Sequence, residues 1–393
     1  METAAIESLN TDFRVDTQGI GEVVHIGYVG GEGGDAAQTL ELAAGQASAG
    51  LPVMLIVPQM PRMAEMAKPY HNRPNLRLIE TPLIRFDTPA QNPLDVARLL
   101  QQFPADLYHL HTGDIAIPRM TLLALELVRR PKVIATIHAA YPDMPFGSSR
   151  AQYWASVVRR RLNFVVTPSK HGRETQVQYG VPPEKARAIY NGIDTTRFTT
   201  GDGKAARRQL GVGSATPLIV QTARLHPQKR PLDAVEAFAR IAEEFPVARL
   251  VYVGTGPLME ETVARTEALG LSDRVHFMGH QFNIPDWLAA ADIWLTTSDA
   301  ENFSISVIEA MAAGNAVVGT FCRGNDEIFV DGENALTAPV GDTAGLADRM
   351  RRLLLDTDLR HRVAGNARRT AACYSREAMV AQYLDLYREA QKA

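Results

Sequence analysis

The sequence predicts an α/β protein made of two doubly wound domains, each built on a parallel sheet. Short apolar runs alternate with longer amphipathic stretches, as expected for strands separated by helices. This series occurs twice, and 393 residues are too many for a single hydrophobic core. The predicted strands of the first series are 23–29, 53–57, 107–110, 133–137 and 164–167. Those of the second series are 218–222, 250–253, 275–278, 293–297 and 316–320.

The boundary between the two domains is expected near residue 198. Residues 198–216 contain four glycines and are interpreted as a linker with a short helix. The N-terminal domain is therefore predicted to span 1–197 and the C-terminal domain 198–374. Ligands of doubly wound sheets bind beyond the carboxyl ends of the strands, so we expect the two domains to face each other across a cleft.

Composition and charge exclude several classes of protein. The chain has 46% hydrophobic and 22% charged residues, which is typical of an ordinary globular protein. Its net charge of -3 argues against a dedicated nucleic-acid binder. Two cysteines provide neither a disulfide framework nor zinc-ligand spacing. The first twenty residues contain no apolar core like that of a signal peptide, and no long apolar run follows, so a cytoplasmic location is expected.

The most informative segment contains Glu301 and Glu309. It follows a strand-like run and is predicted to open a helix that Gly314 ends in a left-handed cap. First-turn N–H groups have no acceptor within a helix, so they favour an anion; here they would belong to Phe303, Ser304 and Ile305. Apolar neighbours predict that Glu309 is buried and partnered. The simpler alternative is a capping glutamate followed by a glutamate that pairs with an arginine.

Residues 299–314 resemble the E-x(7)-E motif of the retaining nucleotide-sugar glycosyltransferases of the GT-B fold, in particular glycosyltransferase family four. Further similarities follow the order of that family along most of the chain. They are Gly30-Gly31, Thr136-Ile137-His138, Thr167-Pro168-Ser169, Asn191-Gly192-Ile193-Asp194, Ala223-Arg224-Leu225 with Lys229-Arg230, Gly254-Thr255-Gly256-Pro257, Phe277-Met278-Gly279-His280 and Asp331-Gly332-Glu333-Asn334. The resemblance implies two Rossmann-like domains, with the last helix, 375–393, packed back on the first.

The resemblance also implies roles for residues of the donor site. Arg224 and Lys229 would bind the diphosphate, where negative charge grows as the glycosidic bond breaks, and so stabilise the transition state. Glu309 would accept hydrogen bonds from the ribose hydroxyls. Glu301 would bind hydroxyls of the transferred sugar, with Asn302 and the backbone beside it.

His138 and the loop at Gly30 and Gly31 are the corresponding candidates in the first domain. The resemblance places His138 against the sugar near the reacting carbon; a structural role at the end of a strand is the alternative. The glycine loop would border the donor phosphate and the acceptor. Its spacing does not fit G-x-G-x-x-G, which argues against a dehydrogenase. His109 and His111 have the spacing of a metal pair, but without a third ligand nearby we interpret them as strand-end residues, at least one of them buried.

Acceptor binding is assigned to the first domain. Residues 139–154 follow His138 and are interpreted as an acceptor loop, with Tyr141, Phe146 and Trp154 as aromatic contacts for a sugar or a lipid interface. Burial of these aromatic residues is the equal alternative. Two basic clusters, 129–132 and 159–161, offer peripheral contact with an anionic membrane; solvated helix ends are the simpler interpretation.

The sequence therefore predicts a retaining glycosyltransferase that moves a hexose from a nucleotide diphosphate sugar to a small-molecule or saccharide hydroxyl. UDP is favoured and GDP comes next, on the frequency of donors in this fold class. No metal and no other cofactor is expected, because the one Asp-x-Asp triplet, 356–358, lies far from the motifs. The alternatives are a lipid acceptor, an epimerase or hydrolase of the same fold, and a binding protein without turnover. The oligomeric state is left open.

Overall fold

The computed structural model describes residues 16–29, 34–84, 92–113, 119–128, 131–138 and 145–392. Within these ranges the chain forms two compact units. The N-terminal unit comprises residues 16–193 together with 376–392, and the C-terminal unit comprises residues 194–375. No helix in these ranges is both long and apolar enough to cross a membrane.

The N-terminal unit contains, among its described residues, seven parallel strands in the order β3-β2-β1-β4-β5-β6-β7. The strands are β1 (Val23–Tyr28), β2 (Val53–Pro58), β3 (Leu76–Thr81), β4 (Leu107–Thr112), β5 (Lys132–Ile137), β6 (Phe164–Thr167) and β7 (Ala186–Ala188). The helices between them are α1 (Gly34–Ser48), α2 (Pro61–Ala67), α3 (Pro93–Gln101), α4 (Arg119–Leu127), α5 (Ser149–Arg161) and α6 (Lys170–Gln178). The strand order reverses between β1 and β4, which makes this edge a topological switch point.

The C-terminal unit repeats this plan with six parallel strands in the order β10-β9-β8-β11-β12-β13, again among described residues. The strands are β8 (Leu218–Thr222), β9 (Arg249–Val253), β10 (Val275–Phe277), β11 (Ile293–Thr296), β12 (Ala316–Thr320) and β13 (Leu336–Ala338). The helices are α7 (Gly203–Gln209), α8 (Pro231–Ala242), α9 (Met259–Ala268), α10 (Ile284–Ala290), α11 (Ile305–Ala313), α12 (Thr343–Leu355) and α13 (Thr357–Ala372). Its switch point lies between β8 and β11.

The C-terminal helix α14 (Arg376–Lys392) packs on the N-terminal unit. Its apolar face contributes to the same core as α1 and β1. Gly45 on α1 permits this approach, because a Cβ there would lie 2.7 Å from a methyl carbon of Val380. Arg376 fixes the start of the helix through an ion pair with Glu41 at 3.2 Å and a backbone hydrogen bond from its N–H to Ile193 O.

Both sheets are parallel and carry helices between their strands, as the sequence predicts. All ten predicted strands are present. The sequence did not reveal β3, β7 and β13, which are all edge strands. Beyond its first residue β3 is exposed or half-buried until Thr81, and β7 contains Arg187, so neither produces a continuous apolar run. β13 has three residues; β10 is equally short, but the sequence did predict it.

The interpretation of residues 198–216 as a linker with a short helix is correct for the helix and wrong for the flexible connection. Helix α7 lies in this stretch and packs against α10. Gly201 and Gly203 allow the contact, since a Cβ at either position would overlap the backbone of Pro285 or Ala289. The glycines that suggested a flexible connection therefore serve a close approach of two backbones.

Candidate functional site

Two loops meet at the switch point of the C-terminal sheet. The loop after β8 carries Arg224 and Lys229, and the loop after β11 carries Glu301. The Thr297 hydroxyl donates to the carbonyl oxygen of Lys229 at 2.7 Å and lies 2.9 Å from that of Arg230.

Gln228 adds a second connection between these loops. Its side-chain amide donates to Ala300 O at 2.6 Å, and its own carbonyl accepts from Asp299 N–H at 3.0 Å. Backbone and side-chain bonds thus fix the relative position of the two loops before any ligand is considered.

An ion pair between Lys229 and Glu301 lies at the centre of this arrangement. The two side chains are only 17% and 8% exposed, so water screens the pair weakly. Ser298 also donates its hydroxyl hydrogen to the same carboxylate oxygen of Glu301, at 2.7 Å. The sequence assigned Lys229 and Glu301 to different parts of a substrate, and the structure places the two side chains in direct contact.

Cys322 lies just beyond the carboxyl end of β12, near enough to Glu301 for the carboxylate to affect its thiol. Burial, and after it the nearby Glu301 carboxylate, raise the pKa of the Cys322 thiol to about 12. The thiol is therefore protonated at neutral pH and behaves as a small core residue, as its sequence environment indicated.

The backbone of Glu301 is held by the turn after β12, which the sequence reasoning missed. Its N–H donates to Arg323 O at 2.8 Å. Gly324 has a φ of +89°, and a Cβ there would overlap the carbonyl group of Glu301. The signal available in the sequence was the glycine just beyond a buried strand, a position where close backbone approach is common.

Two glycines after β9 hold the loop that carries Arg224. A Cβ at Gly254 would overlap Ala223 O, and one at Gly256 would overlap Leu225 O. Leu225 N–H donates to Thr255 O at 3.0 Å. This packing fixes the backbone on both sides of Arg224 while its side chain stays exposed.

Helix α11 begins later than the sequence predicted. Ser304 is the N-cap residue and makes no side-chain capping bond, so Phe303 precedes the helix rather than belonging to its first turn. The Phe303 ring is buried edge-on against Tyr374, with centroids 5.1 Å apart, which explains why the chain turns after it. Gly314 ends the helix in a left-handed cap with a φ of 83°, as predicted.

Glu309 lies on the second turn of α11 and is half-buried, not buried as expected. It shares a half-exposed stripe with Ile305 and Ser306, whereas Val307, Ile308, Ala310 and Met311 form the buried side of the helix. Asn302 is likewise half-buried. The apolar residues around Glu309 led to the prediction of a buried side chain, so the half-exposed stripe was not expected.

The Asp-x-Asp triplet has a structural role. The Asp356 carboxylate accepts a hydrogen bond from Leu359 N–H at 2.8 Å and thereby caps helix α13.

In the N-terminal unit, His138 follows β5, is half-buried, and is one end of a row of otherwise buried polar side chains. Its Nε2 lies 3.2 Å from His111 Nδ1, and His111 Nε2 lies 2.9 Å from His25 Nδ1. His25 Nε2 in turn contacts the side-chain oxygen of Gln46 at 2.8 Å. The sheet register aligns the row, because His25 is opposite His109 and His111 is opposite Thr136.

Burial strongly favours the neutral form of these imidazoles. It lowers the pKa of His25 and of His138 to about 4, and for His138 the Asp35 carboxylate opposes this shift. Burial, and then the neighbouring histidines, lower the pKa of His109 and His111 well below the usual value. All four side chains are therefore uncharged at neutral pH.

The expectation that His109 and His111 lack a third ligand nearby is wrong. His25 from β1 supplies one, and one ring nitrogen from each of the three lies within 4.8 Å of the others. Pairing of β1 with β4 brings His25 next to the two other histidines. Their separation in the sequence gave no indication of this contact. Such a group has the ligand types of a zinc or copper site.

The structure describes only some of the residues that were predicted to contact the acceptor. Gly30, Gly31 and Tyr141 lie outside the residues that the structure describes. Phe146 is exposed, and its ring centroid is 5.3 Å from that of Tyr179.

The assignment of Trp154 to an exposed acceptor loop is wrong. Ser148 caps helix α5, with its hydroxyl accepting from Ala151 N–H at 3.2 Å, so residues 149–161 are helical. Trp154 lies on the buried side of this helix and is 3% exposed. Its indole N–H donates to Gln176 at 2.7 Å, which satisfies its polar group inside the core.

The basic cluster 159–161 forms the exposed last turn of α5, where positive charge is favourable at a helix C-terminus. Arg161 forms an ion pair with Glu126 of α4. This matches the simpler interpretation, that of a solvated helix end.

Comparison with known families and proteins adds to this geometry. The family model for glycosyl transferases group 1 matches residues 202–370, and the model for glycosyltransferase family 4 matches residues 32–197. A putative glycosyltransferase, EpsD, of Bacillus subtilis (strain 168) is 30% identical over 302 residues, which are 74% of this chain and 78% of that protein. The N-acetyl-alpha-D-glucosaminyl L-malate synthase of Bacillus anthracis is 28% identical over 325 residues, covering 80% and 84%.

Solved structures share the fold. Anabaena Alr3699/HepE in complex with UDP-glucose superimposes with a TM-score of 0.79 at 22% identity, covering 94% of this chain and 99% of that one.

The glycine packing predicts a specific sensitivity of the C-terminal site. Gly256→Ala should displace the Leu225 carbonyl and, with it, the loop that carries Arg224, so nucleotide affinity should fall by at least about tenfold, equivalent to roughly 1.4 kcal/mol. Gly213→Ala is the matched control, because a Cβ there meets no atom within 4 Å. Titration calorimetry with nucleoside diphosphates measures both. Equal affinities in the two variants would contradict this account of the loop.

The buried histidines predict a pH dependence of the N-terminal unit. His25 and His138 have a pKa of about 4 in the fold and about 6.5 when unfolded. The unfolded chain therefore binds more protons below pH 6.5, so their contribution to stability is complete above that pH and declines as the pH falls towards 4. Within that window, the contribution of each histidine to the free energy of unfolding falls by about 1.4 kcal/mol per pH unit.

Hydrogen exchange followed by mass spectrometry at pH 7, 6 and 5 measures this effect. Peptides from β4 should lose protection, after correction for intrinsic exchange rates, more than peptides from β11. The histidine with a lowered pKa among the described residues of the C-terminal unit, His276, is only half-buried, so its effect is smaller. Protection in β4 that is constant down to pH 5 would refute the prediction.

Proposed function

Because this chain belongs to glycosyltransferase family 4 and has the GT-B fold, we propose that it transfers a hexose from a nucleotide diphosphate sugar to a hydroxyl acceptor, with retention of anomeric configuration. UDP is the favoured nucleotide and GDP the second candidate. The proposed acceptor is a small molecule or a saccharide. The reaction requires no metal in this proposal.

The observation that carries the proposal is the arrangement at the switch point of the C-terminal sheet. Lys229 and Arg224 on one loop and Glu301 on the next are fixed by hydrogen bonds between the loops. Ligands of such sheets bind beyond the carboxyl ends of the strands. The arrangement offers positive charge for a diphosphate and carboxylate oxygens for hydroxyls, which together are the chemistry of a nucleotide sugar.

The reaction needs negative charge to be stabilised on the departing diphosphate. When the glycosidic bond breaks, its electron pair goes to the leaving oxygen of the nucleoside diphosphate. Arg224 and Lys229 would oppose that charge, and the uncapped start of α11 would contribute its N–H dipoles. The acceptor hydroxyl forms the new bond to the anomeric carbon and gives its proton to the diphosphate.

The ion pair provides preorganisation for this step. Lys229 is held by Glu301 and by the two loops before substrate binds, so less entropy is lost when the diphosphate arrives. The Glu301 carboxylate oxygens are proposed to accept hydrogen bonds from sugar hydroxyls.

Glu309 is proposed to hold the ribose. It lies on the half-exposed stripe of α11, one helical turn beyond the N-cap region, where a carboxylate accepts hydrogen bonds from two vicinal hydroxyls. Asn302 and Ser304 precede the helix and are proposed to contact the sugar.

The choice of UDP and of the acceptor class draws on similar proteins. The Anabaena protein was solved with UDP-glucose, and the Bacillus anthracis relative is named for transfer of N-acetylglucosamine to malate. We propose a UDP-hexose donor and a small polar acceptor on this basis. In the N-terminal unit, His138 and Phe146 are the proposed acceptor-side contacts among the described residues.

A transfer assay tests the proposed function. The protein is incubated with UDP-glucose, UDP-N-acetylglucosamine or GDP-mannose and a panel of malate, inositol phosphate, saccharides and lipid vesicles, in buffer that contains EDTA. We expect nucleoside diphosphate release that depends on a soluble acceptor, and an α-linked product by proton NMR. Activity that disappears in EDTA and returns with magnesium would contradict metal independence, and transfer only to vesicles would favour a lipid acceptor.

Separate roles for the two glutamates predict different binding defects. Glu309→Ala should weaken UDP and UDP-sugar alike by roughly 1.5 to 3 kcal/mol, the scale of hydrogen bonds to a charged group. Glu301→Gln keeps the size but loses the charge, and it should lower turnover and the affinity for UDP-sugar more than the affinity for UDP. Calorimetry with UDP and with UDP-sugar measures both, and thermal melting controls for folding. The same losses with both ligands in both variants would disprove the assignment.

A further inference from the structure

A continuous hydrogen-bonded row crosses one face of the N-terminal sheet and ends at His138. From the far end, Tyr383 contacts Thr136 at 2.9 Å, Thr136 contacts His109 at 2.7 Å, and His109 contacts the Tyr387 hydroxyl at 2.7 Å. Gln46 joins this branch to the row of histidines that leads to His138. The two tyrosines belong to the C-terminal helix α14, and Gln46 belongs to α1.

Each neutral imidazole in this row has one N–H donor and one bare nitrogen acceptor. Two adjacent rings form a hydrogen bond only when a donor faces an acceptor. The tautomer of one ring therefore determines the tautomer of the next, and a single polar group at the start determines all of them.

Gln46 is that group. Its side-chain nitrogen donates to the Tyr387 hydroxyl at 3.0 Å, so its oxygen faces His25 and accepts from Nε2–H. His25 Nδ1 is then bare and accepts from His111 Nε2–H. By the same rule His111 Nδ1 accepts from Nε2–H of His138, which leaves the lone pair of His138 on Nδ1.

Tyr387 fixes the orientation of the Gln46 amide. Its hydroxyl accepts from Gln46 and donates its own hydrogen to His109 Nδ1. His109 must then carry its proton on Nε2, from which it donates to the Thr136 hydroxyl oxygen. Reversing the amide would place two donors against each other unless this whole branch reversed as well.

Burial keeps the histidines of the row uncharged and largely away from water. Gln46 and His25 have no exposed surface, and Tyr387 has none either. Burial holds the pKa of each histidine low, as described above, and Asp35 is the charged group that acts on His138. The other three histidines of the row are 1% exposed or less, so their tautomers are set by the neighbouring hydrogen bonds and not by water.

We propose that Gln46 and Tyr387 are positioning residues, which fix the tautomer of His138 through His25 and His111. His138 then directs its Nδ1 acceptor to a hydroxyl of the acceptor substrate. The tautomer assignment depends only on the hydrogen bonds within this unit, whereas the role towards a hydroxyl rests on the proposed function.

A metal held by His25, His109 and His111 is the competing interpretation. Both nitrogens of each of these rings already have partners within the row. Metal binding would therefore break several of these bonds in a region without solvent access, so the hydrogen-bonded row is favoured.

Nitrogen-15 NMR of protein labelled at histidine tests the assignment directly, because the two tautomers give different ring nitrogen shifts. The chain has ten histidines. Single His→Asn variants of the six outside the row identify their signals, so the four remaining signals belong to the row, and His138→Asn at its end identifies that of His138. In the wild-type protein at pH 7.5 we expect His25, His109, His111 and His138 each as a single Nε2–H tautomer. This spectrum requires no core variant, so it decides the sense of the row even if the variants below fail to fold.

Tyr387→Phe should release the Gln46 amide and give His138 a mixture of tautomers, although His138 makes no contact with Tyr387 in the row. Tyr383→Phe is the matched control: it removes the same group from the same helix, but the Tyr383 hydroxyl bonds to Thr136 and not to Gln46, so the tautomer of His138 should not change. In the transfer assay Tyr387→Phe should lower kcat by roughly three- to tenfold, the effect of about one hydrogen bond. Tyr383→Phe should keep the wild-type kcat.

Three results would overturn the proposal: an Nδ1–H tautomer of His138 in the wild-type protein, an unchanged His138 signal in folded Tyr387→Phe, or about one zinc or copper ion per purified chain by elemental analysis with loss of the N–H signals. The expected tautomers in a protein without transfer activity would support the row of tautomers and contradict the proposed function instead.

Discussion

The ion pair between Lys229 and Glu301 is the contact on which the C-terminal site depends. It joins the loops that follow the neighbouring strands β8 and β11 at the switch point, and water is largely excluded from it. Removing one partner of a buried pair costs about 3 to 5 kcal/mol, because the other charge is left uncompensated. Ser298, Gln228 and the turn at Gly324 all support this pair, so the surrounding loops have little freedom to vary.

The two units hold the polar side chains at their strand ends by different interactions. In the C-terminal unit, opposite charges at the carboxyl ends of strands hold the site, and the chain is a glycosyltransferase by family. In the N-terminal unit, neutral imidazoles along β1 and β4 lead to His138, and their protons are ordered by hydrogen bonds instead of charge. In the proposed reaction, the charges of the C-terminal unit would stabilise the departing diphosphate, whereas the neutral His138 would orient a hydroxyl without adding charge.

Strands inside a parallel sheet could be predicted because both of their faces are buried, which produces continuous apolar runs such as Val53 to Val57. Edge strands such as β7 lack that signal. The positions of Lys229 and Glu301 just beyond β8 and β11 could also be predicted, because motif spacing is local in sequence. Their roles, and that of Glu309, stay predictions.

Features that depend on tertiary contacts could not be predicted. The approach of His25 to His109 depends on strand register, and the burial of Trp154 depends on a hydrogen bond to Gln176. The start of α11 depends on packing of Phe303 against Tyr374. None of these pairs is adjacent in the chain, so no local pattern in the sequence indicates the contact.

A crystal structure with UDP in buffer free of divalent metal tests the central claim most directly. The account predicts that the diphosphate contacts Arg224 and Lys229, that the ribose hydroxyls bind the Glu309 carboxylate, and that the Glu301 backbone keeps its bond to Arg323. UDP bound at another surface, or bound at this one without contact to Glu309 and Lys229, would contradict the account.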